Sequence, residues 1–221
     1  MGAVTLLPSA RRDNGWVETL PEVPPAAPLI GAQEADVVVV GAGFTGLAAA
    51  RRLGERRPGA RILLLEAGRI GNGAAGRSSG FGIDHAHNVR SEGFAGAEEF
   101  EKQQIALNRS GLAYLEDAVA THGSDCDWSW AGKTHAACTD RGVADLEHFA
   151  GTLDRIDEPY EVLDADAMAE RLGIGYYRRG LHTPGTALMQ PAAACRGLAD
   201  HMPPNVVVHE ETPVTWMDAG P

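Results

Sequence analysis

Gly41-Ala42-Gly43-Phe44-Thr45-Gly46 has the spacing G-x-G-x-x-G and lies between an unbroken β-branched run, Val37 to Val40, and an Ala-, Leu- and Arg-rich stretch, Leu47 to Leu53. Residues of this kind shape the backbone rather than break bonds. Gly41 allows a tight turn, Gly43 lets a pyrophosphate approach the chain, and Gly46 lets a helix pack closely on the preceding strand. The start of that helix then offers unpaired N–H groups to phosphates. Glu66 ends the next apolar run, Ile62 to Leu65. It stands about 20 residues beyond the last glycine, where a carboxylate accepts hydrogen bonds from a ribose 2'-hydroxyl. A 2'-phosphate would be repelled there unless Arg69 supplied a compensating cation, so FAD or NAD fits and NADP does not. A chance glycine turn beside an unrelated glutamate is the plainer explanation, but strand, helix and acid all standing in order disfavour it. The two cofactors share one adenosine diphosphate, and these residues leave the choice between them open.

Other residues invite chemical readings with less support. His85 and His87 would share one face of a strand and suggest a metal or a proton relay, yet no carboxylate or thiol stands at ligand spacing, which favours solvent-facing or loop-bonding histidines. No metal site is expected. Asp127, Trp128 and Trp130 could line a site for a cationic amine, although alternating tryptophans on a hairpin more often pack. The cysteines Cys126, Cys138 and Cys195 form an odd set with no CxxC spacing, so neither a disulfide framework nor a zinc site is expected.

The elements that must hold these residues follow from local patterns. Residues 1–35, interrupted by Pro8, Pro21, Pro24, Pro25 and Pro28, read as a proline-rich arm without regular structure, with Trp16 as a packing anchor ahead of an interface role. Residues 36–122 read as a βαβ region followed by a small-residue loop over 68–82 and a long helix over 98–122, with Phe100, Ile105, Leu112, Leu115 and Val119 on its apolar stripe. The β-branched run 37–40 is expected to be a strand of a parallel sheet, buried on both faces. Residues 123–190 read as an inserted α+β part. A hairpin of strands 126–130 and 134–138 turns there at Ala131-Gly132-Lys133, a helix covers 143–156, a strand 160–163, and a short helix runs between the Asp164 cap and Gly173. Residues 191–221 return to the first domain with a helix from Pro191 to His201, a strand at 206–209 and another over 213–217.

The run from Val37 to Leu47, then Leu64-Leu65-Glu66-Ala67, then Gly71-Asn72-Gly73-Ala74-Ala75-Gly76-Arg77-Ser78-Ser79-Gly80 resembles the D-amino-acid oxidase and glycine oxidase superfamily, and within it the gamma-glutamylputrescine oxidase type. The family usually shows Ser-Gly-Arg-Asn-Gly-Gly where this chain reads Ala75 to Gly80. The resemblance implies a Rossmann-like FAD-binding domain of the glutathione-reductase type with part of a substrate domain. It also implies FAD as the cofactor, held by Gly41, Ala42, Gly43, Phe44, Thr45, Gly46, Glu66, Ala67 and Arg69. The loop residues Ala74, Ala75, Gly76, Arg77, Ser78, Ser79 and Gly80 would lie along it, and the backbone of Val214 would meet the adenine. The implied reaction is oxidation of a C–N bond in a small amine or amino acid. Family members run to roughly twice this length, so a C-terminal half is expected to be missing, with apolar surface exposed where its strands belong. A complementing C-terminal chain or a homo-oligomer is the partner this implies. A non-catalytic nucleotide-binding subunit and an NAD-dependent dehydrogenase are the rival readings.

The chain has 221 residues and a formal charge of -11. That length can bury a core without staples, and that charge disfavours nucleic acid and anionic membranes as partners. Nowhere does the sequence reach the roughly 18 apolar residues of a membrane span. A soluble, cytoplasmic protein is therefore expected.

Overall fold

The computed structural model describes residues 14–85, 98–122 and 125–218, so His87 lies outside the described residues. It divides into two compact units, Met1–Gly80 with Asp117–Asp127 and Met189–Pro221, and Phe81–Glu116 with Trp128–Leu188. The cuts at Gly80 and Glu116 differ from the expected cut after residue 122, because the first part of the long helix shares a core with the later α+β segment.

In the first unit, β1 (Val37–Val40), β2 (Ile62–Leu65) and β8 (Val206–His209) form a parallel sheet with β2 in the centre. Val37 stands opposite Ile62, and Ile62 opposite Val206. Helix α2 (Phe44–Arg56) connects β1 to β2 and turns Leu47, Ala50 and Gly54 inward. Gly54 is needed for this packing, since a Cβ there would stand 2.7 Å from Val206 Cγ2. The expectation that β1 is buried on both faces fails. Val38 and Val40 are 51% and 61% exposed, because α2 covers only one face of β1. Exposed Val207 on β8 adds to that apolar surface. Helix α6 (Pro191–Asp200) buries Ala192, Ala194, Cys195 and Leu198 in the same unit.

Arg51 on α2 is 4% exposed and joins three elements. Its Nη2 donates to the carbonyls of Leu198 (3.0 Å) and His201 (2.9 Å) at the end of α6, and its Nη1 meets His122 Nε2 at 2.8 Å, just past α3 (Glu98–Thr121). Carbonyls at a helix end lack intrahelical partners, and a guanidinium satisfies them with charge of the right sign.

In the second unit, β4 (Lys133–Ala137), β6 (Arg179–Thr183) and β5 (Glu161–Leu163) form an antiparallel sheet in that order. Helix α4 (Asp140–Ile156) lays Leu146, Phe149, Leu153 and Ile156 over it, joined by Ile105, Ala137 and Leu181 in one core. Helix α5 (Ala165–Leu172) follows the local rules in full: Asp164 accepts from the Ala167 N–H at 2.9 Å, and Gly173 takes a left-handed φ of 70° past its end. A short pair, β3 (Phe81–Gly82) with β7 (Ala187–Leu188), completes the unit.

The expected hairpin over 126–138 does not form. Its second strand pairs with β6 instead, and Ser129 bridges Leu188, so Gly132 (φ 66°) sits in a crossing where its N–H donates to Thr186 O rather than in a two-strand turn. The segment 213–217 stays irregular; Pro213 has no N–H to give a neighbouring strand. Phe100 is 53% exposed, so the apolar stripe of α3 is carried by Ile105, Leu112 and Val119. The arm contains one turn of helix, α1 (Gly15–Glu18), capped by Asn14.

Arg51→Met is expected to cost about 2 to 4 kcal/mol, since buried carbonyls lose their donor, read as a fall in Tm; an unchanged Tm would contradict this role. Burial, and then the charge of Arg51, hold His122 below the ordinary histidine range. Stability linked to His122 is thus fully present above that range and is lost as pH falls toward the folded value. The urea midpoint should drop between about pH 7 and about pH 5. His122→Gln should flatten part of that slope, leaving the share of His182, also held low by burial and then by Arg171.

Candidate cofactor site

Gly41 takes φ 93°, a left-handed conformation that glycine adopts without strain. A Cβ on Gly46 would collide with the Gly41 carbonyl oxygen, so the first turn of α2 can meet the end of β1 only because Gly46 has no side chain. Gly43 is the N-cap of α2, provides no side-chain cap, and no acidic residue follows in the first turn. The amides at the start of this helix therefore point toward an open, electropositive end. A Cβ on Gly43 would stand 3.7 Å from Ala75 Cβ, which puts the loop after β2 directly across from the turn.

Glu66 closes the other side. Its Oε2 accepts the Ala42 N–H at 2.8 Å and its Oε1 accepts the Gly68 N–H at 3.0 Å. The carboxylate is fixed beside the glycine turn with acceptor sites left over, since an ionised carboxylate has about four. The Glu66 N–H donates to His209 O, and its carbonyl accepts from the Thr212 N–H. That pairing brings the segment leading to Val214 alongside Glu66.

The small-residue loop repeats the logic of the first turn. Gly71 takes φ 86°, a Cβ on Gly76 would collide with Gly71 backbone, and a 3-10 turn covers Ala75–Arg77. Ala74, Arg77, Ser78 and Ser79 are exposed, whereas Gly76 and Gly80 are buried. Arg77 Nε donates to Asn72 O at 2.7 Å. Arg69 lies on Glu210 (Nε to Oε1, 3.3 Å) and donates to Val23 O. Glu210 is a residue that sequence reading missed: 6% exposed, it also accepts the N–H groups of Ile70 and Ala26, tying loop to arm. Asn14 was missed as well; its Nδ2 donates to Gly71 O (2.8 Å) and Gly76 O (3.1 Å). An Asn before a short helix is a visible cap signal, but its distant partners are not.

The remaining candidates gather in the second unit. His85 is buried rather than solvent-facing and takes the loop-bonding alternative, with Nε2 at 3.3 Å from Asp84 Oδ2 and 3.4 Å from Glu158 Oε2. Arg109 reaches both carboxylates, at 3.0 Å and 2.6 Å. Burial would raise the Asp84 carboxyl, but hydrogen bonds and charge from His85 and Arg109 outweigh it and hold it below the ordinary range. Of its carboxylate partners, Asp84 stands next door in the sequence and Glu158 far along the chain. Among the described residues no cluster of three or more His, Cys, Asp or Glu could hold a metal ion. Trp128 and Trp130 meet edge to face at 5.7 Å, and Trp130 Nε1 donates to Glu116, so this pair packs. Lys133 Nζ is buried without a hydrogen-bond partner among the described residues, and burial lowers its pKa. Burial also pushes the Cys195 thiol up to about 12, which leaves it protonated and unreactive.

These residues fit an adenine dinucleotide. Gly43 adds no side chain to the turn, the helix start carries donors that could face a pyrophosphate, and Glu66 is pinned beside it where a ribose hydroxyl could be read. Among the described residues no helix is long and apolar enough to cross a membrane.

Comparison with known proteins gives the family. Residues 36–220 match the family described as FAD dependent oxidoreductase. The chain is 28% identical over 194 residues to a probable oxidoreductase OrdL of Haemophilus influenzae, covering 86% of this chain and 44% of that protein. It is 29% identical over 182 residues to the gamma-glutamylputrescine oxidoreductase of Escherichia coli, covering 75% and 38%. Among solved structures, glycine oxidase from Geobacillus kaustophilus superposes with a TM-score of 0.65 at 22% identity, covering 80% of this chain and 46% of that one. L-amino acid deaminase from Proteus myxofaciens gives 0.62 at 18%, covering 85% and 41%. The chain spans less than half the length of these proteins. Because the family match runs from the residue before β1 to beyond β8 and takes in the whole parallel sheet, the chain belongs to the FAD dependent oxidoreductase family.

Proposed function

We propose that this chain builds the FAD-holding part of an oxidoreductase that oxidises a C–N bond of a small amine or amino acid. The observation that carries this reading is the Glu66 carboxylate held on the Ala42 amide beside the side-chain-free Gly43. The names of the similar gamma-glutamylputrescine oxidoreductase and glycine oxidase support the substrate class.

In this reading the amides of Gly43, Phe44, Thr45 and Gly46 hold the pyrophosphate, and Glu66 accepts a hydrogen bond from the adenosine ribose. Ala67 and the backbone near Val214 flank the adenine. Ala74, Ala75, Gly76, Arg77, Ser78, Ser79 and Gly80 run along the remainder of the cofactor. Arg69 acts through Glu210, shaping the loop from behind. When bound, FAD would supply the acceptor for the hydride leaving the carbon next to nitrogen, the resulting imine being open to hydrolysis. The protein's share is to bind, orient and exclude water, and no residue of this chain is assigned to proton transfer. A complementing C-terminal chain or a second copy is the proposed partner for substrate recognition, in a cytoplasmic setting. One other reading is a nucleotide-binding subunit without activity of its own.

The test is the visible absorption of the purified chain after addition of FAD and desalting. Flavin bands should be retained by the wild type and absent from Gly46→Ala, whose Cβ has no room. Glu66→Gln should weaken FAD binding by about ten- to a hundredfold, the value of a hydrogen bond to a charged group. A colourless wild type would overturn the FAD reading, and binding of NADH in its place would point to the dehydrogenase class. Retained flavin without turnover of any amine would favour the inactive subunit.

A further inference from the structure

Among the described residues, the arm is tied to the loop after β2, to the start of α6 and to the segment after β8. Asn14, 3% exposed, gives both hydrogens of one amide to Gly71 O and Gly76 O, the carbonyls at the two ends of the second glycine turn. Trp16 Nε1 donates to Ser78 O at 2.8 Å. Gln190, the N-cap of α6, donates from Nε2 to Trp16 O at 2.8 Å while its Oε1 accepts the Ala193 N–H. On its far side the loop leans on α6: a Cβ at Gly71 would stand 3.3 Å from Ala192 Cβ, and Met189 N–H donates to Gly80 O at 2.9 Å. Further along the arm, Ala26 N–H reaches Glu210, Leu29 N–H reaches Thr212 Oγ1, and His209 Nδ1 lies 2.8 Å from Ala27 O.

Residues 71–80 thus lie between the arm and the start of α6, and their apolar content is too small to hold them by packing. Ala75 of this loop is the residue that faces Gly43 across the gap. We propose that Asn14 and Trp16 are positioning residues for the cofactor: the arm preorganises the second glycine turn, and FAD affinity depends on it. This rests on the FAD reading given above. The physical basis is that a turn held in its binding shape spares the cofactor the cost of ordering it. If that shape is populated a tenth of the time once the arm's hydrogen bonds are lost, the apparent Kd rises about tenfold.

The experiment uses the full chain, with FAD titrated by flavin fluorescence and amide hydrogen exchange measured without cofactor. Asn14→Ala and Trp16→Phe should each raise the Kd for FAD by about tenfold, alter the visible circular dichroism of the bound flavin, and speed exchange at residues 71–80 without speeding it in β1 and β2. Trp16→Phe keeps a smaller aromatic ring and removes the Nε1 donor, so it serves if Asn14→Ala fails to fold. Glu18→Gln, an exposed arm position, should change none of these. A wild type that binds FAD, with both variants binding it equally well, would overturn the proposal. If the wild type takes up no FAD, the cofactor reading fails by itself. Exchange at residues 71–80 then decides the arm's hold on the turn, with faster exchange in the variants supporting it and unchanged exchange overturning it.

Discussion

The close meeting of Gly46 with the Gly41 carbonyl is the contact on which the rest of the first unit depends. It sets the first turn of α2 against the end of β1, and from there α2 must run back over the sheet to deliver β2 beside β1. The end of β2 then places Glu66 within reach of Ala42, and the parallel pairing with β8 brings Thr212 to the Glu66 carbonyl. Any side chain at position 46 would push these apart. The anion-favouring helix start and the Glu66 carboxylate are thereby set on either side of one turn.

Glu66 also shows how the site tolerates opposing demands. A carboxylate beside a pyrophosphate would be repelled if it were free to swing toward it. Two backbone amides, those of Ala42 and Gly68, hold it in place and draw its charge toward the peptide groups. The second buried acid of this unit, Glu210, works the same way for the loop and the arm, through the Ile70 and Ala26 amides. In the second unit, by contrast, Asp84 and Glu158 are met by side chains, the Arg109 guanidinium and the His85 ring. That ties the α3 residue Arg109 to the loop after β3 and to the segment past α4.

What could be read from the sequence was local. The glycine turn, Glu66, β1, α2, β2 and β8 stand where pattern placed them, and so do Asp164 and Gly173 at the ends of α5 and Pro191 opening α6. What could not be read was decided by distant partners. β6, with Gly180 and His182 among polar residues, has no alternation to announce a strand, yet it is the centre of its sheet and takes β4 away from the expected hairpin. The burial of His85 depends on Arg109 and Glu158, which no spacing in its neighbourhood reveals. Asn14 read as part of a featureless arm because its partners, Gly71 and Gly76, lie far along the chain. The exposure of Val38 and Val40 follows from α2 covering only one face of β1, a fact of packing and not of local composition.

The central claim is that one glycine turn and one carboxylate form a binding site for the adenosine diphosphate part of FAD. Backbone amide chemical shifts, followed by NMR as FAD is added to the isotopically labelled chain, test it residue by residue. The account predicts the largest changes at the amides of Ala42 to Gly46 and at Glu66 to Gly68, with saturation at one common affinity. Changes confined to other segments, or none at saturating FAD, would contradict it.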